Sequence, residues 1–399
     1  MPTSTPISTV ERIEDNRKLR DWTQRAMAAR AGVSYSLYTK VVSGHKRPMP
    51  QFVAACGRAL GMDVSELYGQ PFKDQLLEDK IQHLIQPIIH TLDLYDLDPD
   101  EDVAVQDLDV LAPAVLELGD LHDAGAFGVL AQRLPGLIEE VRAAAVTTGA
   151  PEAWDLLAQS YRAVYDVGTR FGYLSLSRTA MDRCDWAGRQ AGDAAAPLRA
   201  MRQYQRSLIH MKEGDYATGL KMYAAGRAMI DAVDDTPLNL AVRGQLLLGA
   251  ALLSARSGAK DDAVHLVDEA GRIAERTGEQ PGHYWMGWGP TNVAAHRVQV
   301  FADTDDPGRA VAEARTMQVP DEWPPSRVAR LWVSLAGAKL WAGDAPGALE
   351  ALHTARHAAP QAVRYNPAAK DTVAAMIRST RYTAPRELAA FANWAGVRP

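Results

Sequence analysis

Residues 32–48, GVSYSLYTKVVSGHKRP, gather hydrogen-bonding side chains at a spacing that can read a surface. Tyr35, Ser36, Thr39 and Lys40 recur at helical intervals, and a basic loop, His45-Lys46-Arg47, follows them. Side chains on the first turns of a helix can reach base edges in a DNA groove, whereas Lys, Arg and free amides hold phosphate oxygens. Gln24 opens the preceding helix and joins the phosphate-holding set, because a helix start offers unpaired N–H groups. Tyr38 and Val41 face the other way and read as packing.

A second group of polar side chains lies far along the chain. In PGHYWMGWGPTNVAAHR, residues 281–297, Trp285 and Trp288 stand three apart and Thr291, Asn292 and His296 follow. Asn292 and His296 are spaced i, i+4 and share a helix face, with Thr291 placed to cap that helix. One reading makes this the wall of a ligand pocket, with Trp for apolar contact and Asn for hydrogen bonds. The other makes it an inter-repeat loop whose tryptophans fill the core. WPPSRVARLW (323–332) and VRYNP (363–367) add Arg327, Arg330, Arg364 and Asn366, which suit a carboxylate or an amide, or ordinary surface ion pairs.

Enzyme chemistry lacks a matching pattern. There is no glycine-rich phosphate loop, no HExxH and no paired CxxC. His83/His90 and His353/His357 sit at helical spacing without an acidic partner set. No metal or cofactor is expected. Cys56 and Cys184 read as buried thiols. With no basic-then-apolar leader and no apolar run long enough to span a bilayer, the expectation is a cytoplasmic protein without a membrane partner.

The elements that carry the first group are legible from their caps. Thr23 caps a helix over 24–31 that Gly32 ends, and Ser34 caps a second over 35–42 that Ser43-Gly44 stops. Pro50 opens a helix to Leu60 and Gly61 closes it, with a last short turn at 65–68. Residues 1–70 hold ten Lys/Arg against six acids, so a head of charge +4 sits on a body of −10 within a net −6. Such an asymmetry suits a head that alone meets phosphate.

Residues 72–92 predict one connector helix with Leu77, Ile81, Leu84, Ile88 and Leu92 on a stripe, weakened by Pro87. The acidic LYDLDPDED, 94–102, marks a boundary. Beyond it nearly every segment has helical period. Gly172, Gly214, Gly258 and Gly343 are each followed five residues on by a small residue (Ser177, Gly219, Ala263, Ala348) and seven further by another (Cys184, Gly226, Ala270, Ala355). A weaker copy starts near Asp305. The pattern predicts helical hairpins, each glycine ending one helix and the small residues letting its partner pack closely.

Residues Ile13, Arg17, Thr23-Gln24, Met27-Ala28, Gly32-Val33-Ser34, Thr39, Val41, Gly44, Arg47-Pro48 and Ala59-Leu60-Gly61 resemble the Cro/phage-repressor (Xre-type) helix-turn-helix family. Asn16, where that family has an apolar residue, and Val42, where it often has Glu, depart from the pattern; Leu19 and Trp22 are placed to offset the first. The body resembles a tetratricopeptide-like α-solenoid of the kind joined to such heads in actinobacterial-style regulators and, more distantly, peptide-pheromone receptor regulators. The expected architecture is all-α: a five-helix helix-turn-helix domain at 1–70, a connector at 71–102 and a helical-repeat sensor and dimerisation domain at 103–399. The resemblance implies a homodimer on a double-stranded DNA operator, modulated by a peptide or small-molecule effector. Control by a protein partner, or a scaffold whose head no longer binds DNA, are the alternatives.

Overall fold

A computed structural model describes residues 8–192, 196–280, 283–379 and 385–397. Among these the chain is all-α, with one isolated bridge pairing Gln280 and Trp288.

The head is five helices: α1 (Thr9–Lys18), α2 (Gln24–Ala31), α3 (Tyr35–Val42), α4 (Pro50–Leu60) and α5 (Val64–Leu67). The caps act as their residue types dictate. The hydroxyls of Thr23 and Ser34 accept from the amides of Ala26 and Leu37, and Gly32 and Gly61 take the left-handed conformation that ends α2 and α4. Ile13, Met27, Ala28, Tyr38, Val41, Val53, Cys56 and Leu60 form the small core. Leu19 does not make up for Asn16, since it is 80% exposed just past the end of α1. Trp22 is instead flanked by cations, with Arg30 over its ring at 4.3 Å.

The connector is two helices rather than one, α6 (Lys73–Glu78) and α7 (Gln82–Asp93). Lys80 adopts a positive φ of 57°, which no helix interior accepts, and the face turns at that point. Leu76 is therefore buried with Ile81, Ile85, Ile88 and Leu92, while Leu77 points to solvent. α7 continues through Pro87. α8 (Leu108–Asp123) and α9 (Phe127–Thr148) follow.

Five helical hairpins come next: α10 (Pro151–Phe171) with α11 (Leu174–Gln190), α12 (Ala196–Glu213) with α13 (Tyr216–Asp231), α14 (Pro237–Ser257) with α15 (Lys260–Thr277), α16 (Pro290–Asp303) with α17 (Pro307–Thr316), and α18 (Pro325–Trp341) with α19 (Ala345–Ala358). Each repeat glycine lies at the bend, at positive φ, and the small residues after it are buried in the hairpin. In the fourth hairpin Asp305 holds the glycine's place at φ 60°. The first helices α12, α14, α16 and α18 pack on one another as an inner layer. α20 (Pro360–Arg364), α21 (Pro367–Ser379) and α22 (Arg386–Ala395) complete the chain. The last hairpin and these helices share one core with α7–α11, so the array curls round until its end meets its beginning. α14 is long and apolar enough to cross a membrane, against the expectation from sequence, but 89% of its apolar window is buried among its neighbours. It is the central core helix of the array.

The head sits on one rim of this ring. Gly214 packs so closely on Ala54 that a Cβ there would collide with it, while Gln70 and Gln51 lie against Gly172 and Gly258. Three successive repeat bends thus form the seat on which the head rests.

Candidate nucleic-acid interface and effector cavity

α3 presents its first turns outward. Tyr35, Ser36 and Lys40 are exposed, and Thr39, partly covered, donates its hydroxyl to the carbonyls of Tyr35 (3.0 Å) and Ser36 (3.1 Å). Arg25 of α2 stacks over the Tyr35 ring at 5.2 Å, adding a cation that sequence reading did not single out. His45 is exposed, its Nδ1 2.7 Å from Ser43 Oγ. Gln24 is turned partly inward and donates to Glu14 Oε2 at 3.2 Å. The same carboxylate accepts from Arg17 Nε (3.0 Å), Arg17 Nη2 (2.8 Å) and the Tyr38 hydroxyl (2.7 Å), which locks α1, α2 and α3 together. Burial works to raise the Glu14 carboxyl, yet the bonds from Arg17, Tyr38 and Gln24 outweigh it and hold the group below its ordinary range.

The rest of the basic loop is engaged by the body. Lys46 Nζ lies 3.0 Å from Asp305 Oδ2, and Arg47 Nη1 donates to the carbonyl of Ala302 at 2.9 Å. Ala302 is in the last turn of α16, where carbonyls lack intrahelical donors and the helix dipole is negative, so a guanidinium suits that position. On the other side of the head the Thr9 hydroxyl donates to the Asp371 carboxylate at 2.8 Å.

Beneath the head the inner layer encloses a cavity of about 390 Å³, which reaches Arg47, Pro48, Ala302 and Asp303. Among the described residues eight Arg or Lys side chains and three carboxylates line it. Two of the carboxylates are engaged, Asp303 by Arg256 at 2.8 Å and Asp371 by Thr9. Arg170 and Arg327 are each pushed down to about 10, chiefly by burial and then by Arg330, against which Asp166 and Asp123 work only in part. Lys212 is pushed down to about 8 by burial, then by Arg170 and Arg256. Arg330 is lowered by burial. Arg162 lies over the Trp285 ring at 4.3 Å while its Nε and Nη1 have no partner.

The nine residues singled out for a ligand part company here. Trp285, Arg327, Arg330 and Asn366 line the cavity, and Asn366 also caps α21 through the Ala368 amide at 2.9 Å. Trp288 is fully buried against Gly244, its Nε1 donating to Thr277 Oγ1 at 2.9 Å. Thr291 does not cap α16. That helix begins at Pro290, and Glu279 Oε1 accepts from the Thr291 amide at 2.9 Å. Asn292 is buried behind the cavity wall, in a chain that runs Tyr204 to Gln245 to Asn292 to Arg327 to the Trp285 carbonyl, each link 2.7–3.0 Å. It orients Arg327. His296 is buried against the Asn292 carbonyl, and burial first, then Arg330, keeps it neutral. Arg364 is elsewhere, bound to Asp79 (2.7 Å), Glu78 (3.1 Å) and the Trp394 carbonyl. Residues 281 and 282 of that stretch lie outside the described residues. The cavity's Arg162, Arg170 and Lys212 were not anticipated. For the first two a signal was present: Arg162, Asp166 and Arg170 recur every four residues among the apolar Tyr161, Ala163, Val164, Val167 and Phe171 of α10.

Residues 13–67 match the helix-turn-helix family model. No curated protein matches the chain. The match covers the five-helix head from within α1 through α5, and it makes that head a DNA-binding module of a transcriptional regulator.

Proposed function

We propose that the chain is a sequence-specific regulator that binds paired half-sites of an operator as a homodimer, and that an effector in the helical-repeat body sets its affinity. The body is read as tetratricopeptide-like, on the strength of five hairpins with a glycine or its substitute at each bend. Tyr35, Ser36, Thr39 and Lys40 read the groove, with Gln24, His45, Lys46 and Arg47 along the phosphates. Exposed Val110, Leu116 and Val129 on α8 and α9 suit contact with a second copy.

One observation carries the regulatory part: the two cations best placed for phosphate are held by the body. Lys46 is paired with Asp305 and Arg47 with the end of α16. An occupant of the cavity touches Arg47, Ala302 and Asp303, which are the latch itself or its neighbour. DNA and the body compete for the same side chains. The cavity volume lies near the low end of small-molecule sites, ~300–1,000 Å³, and favours a small molecule over an extended peptide.

Asp305→Gly tests this cleanly. Left-handed backbone costs a non-glycine residue on the order of 1 kcal/mol, so glycine relieves strain while deleting the carboxylate. Operator affinity, measured on a duplex selected from a random pool, should rise several-fold with no fall in melting temperature. The footprint should span two half-sites about one helical turn apart or a multiple of it. Unchanged affinity would remove the latch from the mechanism.

A further inference from the structure

We propose that the cavity beneath the head is a binding site for a compact polyanion, a small molecule bearing two or more carboxylate or phosphoryl groups. This deepens the effector reading above and rests on it.

The argument is one of uncompensated charge. Arg162, Arg170, Lys212, Arg327 and Arg330 face one enclosed space from α10, α12 and α18. Asp303 and Asp371 are already committed, which leaves Asp166 as the nearest counter-charge on the cavity wall. Among the described residues Lys212 and Arg330 make no hydrogen bond or ion pair. Nε of Arg170 and of Arg327, with Nε and Nη1 of Arg162, are buried without acceptors. Cations in low dielectric repel one another and lose hydration, so a fold that merely needed filler would place apolar residues there. For Arg170, Lys212, Arg327 and Arg330 the directions of titration agree, each being lowered by burial, and the first three also by a neighbouring cation.

The cations of the wall are also fixed in place. Arg327 is held by two hydrogen bonds, to Asn292 Oδ1 at 3.0 Å and to the Trp285 carbonyl at 2.9 Å, with its Nε packed against Gly287. Arg170 is likewise anchored by the Ala362 carbonyl at 3.0 Å. Guanidinium groups oriented in this way bind oxyanions through directed charge-assisted bonds, and a lysine beside them adds a mobile point charge. Several cations around one cavity ask for more than one negative charge, and the volume keeps the ligand small. The anion would neutralise the inner layer beside Arg256 and Asp303, next to the carbonyl that holds Arg47.

The test needs no DNA. The full chain, dialysed at high salt, is titrated with pyrophosphate and with citrate at constant ionic strength, following tryptophan fluorescence and melting temperature. At least one probe should bind saturably. Pyrophosphate alone identifies a phosphoryl ligand, and citrate alone a polycarboxylate. Lys212→Met and Arg330→Met should each raise the dissociation constant roughly tenfold or more, the loss expected for one charge-assisted bond. Without ligand both variants should melt no lower than the parent, because each deletes an uncompensated charge. Saturation by neither probe, equal binding by the variants, or variants that melt below the parent would overturn the site. If Asp305→Gly still tightened DNA binding in that case, the latch would stand and only the ligand class would fall.

Discussion

Two of the places where this molecule buries charge do so in opposite ways. In the head, Glu14 gathers four donors from Arg17, Gln24 and Tyr38, and both carboxylate oxygens are used. In the body, Arg162, Arg170, Lys212, Arg327 and Arg330 gather in one cavity and leave donors unfilled. A polar cluster satisfied within the fold holds helices in place and requires nothing more. A cluster that folding leaves bare lowers stability until a ligand arrives, and that is how binding energy becomes available to move something. The first ties α1, α2 and α3 together; the second lies beneath the proposed latch.

The sharpest way to break this contrast is to empty its satisfied side. Glu14→Ala leaves Arg17, Gln24 and Tyr38 without their shared acceptor and should destabilise the head by about 2–3 kcal/mol, the usual cost of stranding partly buried polar groups. Denaturant unfolding of the full chain measures it. Equal stability would mean that the cluster is ornamental and the contrast empty. A smaller effect on folding, though not on binding, is expected at the surface the cluster supports. Thr39→Ala and Lys40→Ala touch no core and should leave the melting temperature unchanged, while each weakens operator binding roughly tenfold. Intact binding in both would move the reading surface off α3.

How far sequence alone reaches differs between the two regions for a physical reason. The head is local. Caps, glycine stops and helical spacing decide it within a few residues, so Thr23, Gly32, Ser34 and Gly61 sit as their types require. The hairpins were legible too, because each bend and its small residues recur along the chain. The cavity is not local. Arg170 meets Ala362, and Lys46 meets Asp305, across hundreds of residues that only ring closure brings together. Asn292 and Arg327 were visible as polar residues in suggestive company, yet nothing in their spacing distinguished a ligand contact from a side chain that positions one. Leu77 shows the same limit at short range: a periodic stripe predicts its burial, and the break at Lys80 turns it outward.

The gentlest probe of the contrast is pH, since the two clusters should respond at opposite ends of the scale. The Glu14 carboxyl is held below its ordinary value, so its contribution is present above the unfolded carboxylate range and is lost as pH falls through the folded value. Acid should therefore loosen the head. Lys212 runs the other way, with an ordinary value of 10.5 brought down to about 8. Below about 8 both folded and unfolded chains hold that proton, and the native state carries the full repulsion. Between about 8 and 10.5 the native state has shed the proton that the unfolded chain keeps, so stability rises with pH across that window. Lys370, brought down to about 7 by burial first and by Arg364, contributes a similar rise from outside the cavity. Lys212→Met separates the two. Its melting-temperature advantage over the parent should be greatest below pH 8 and shrink toward pH 10.5, and polyanion affinity in the parent should weaken over the same range as Lys212 loses its charge. A variant whose advantage is flat with pH would show that Lys212 is compensated in the folded chain, and the difference between the two clusters would vanish at that residue.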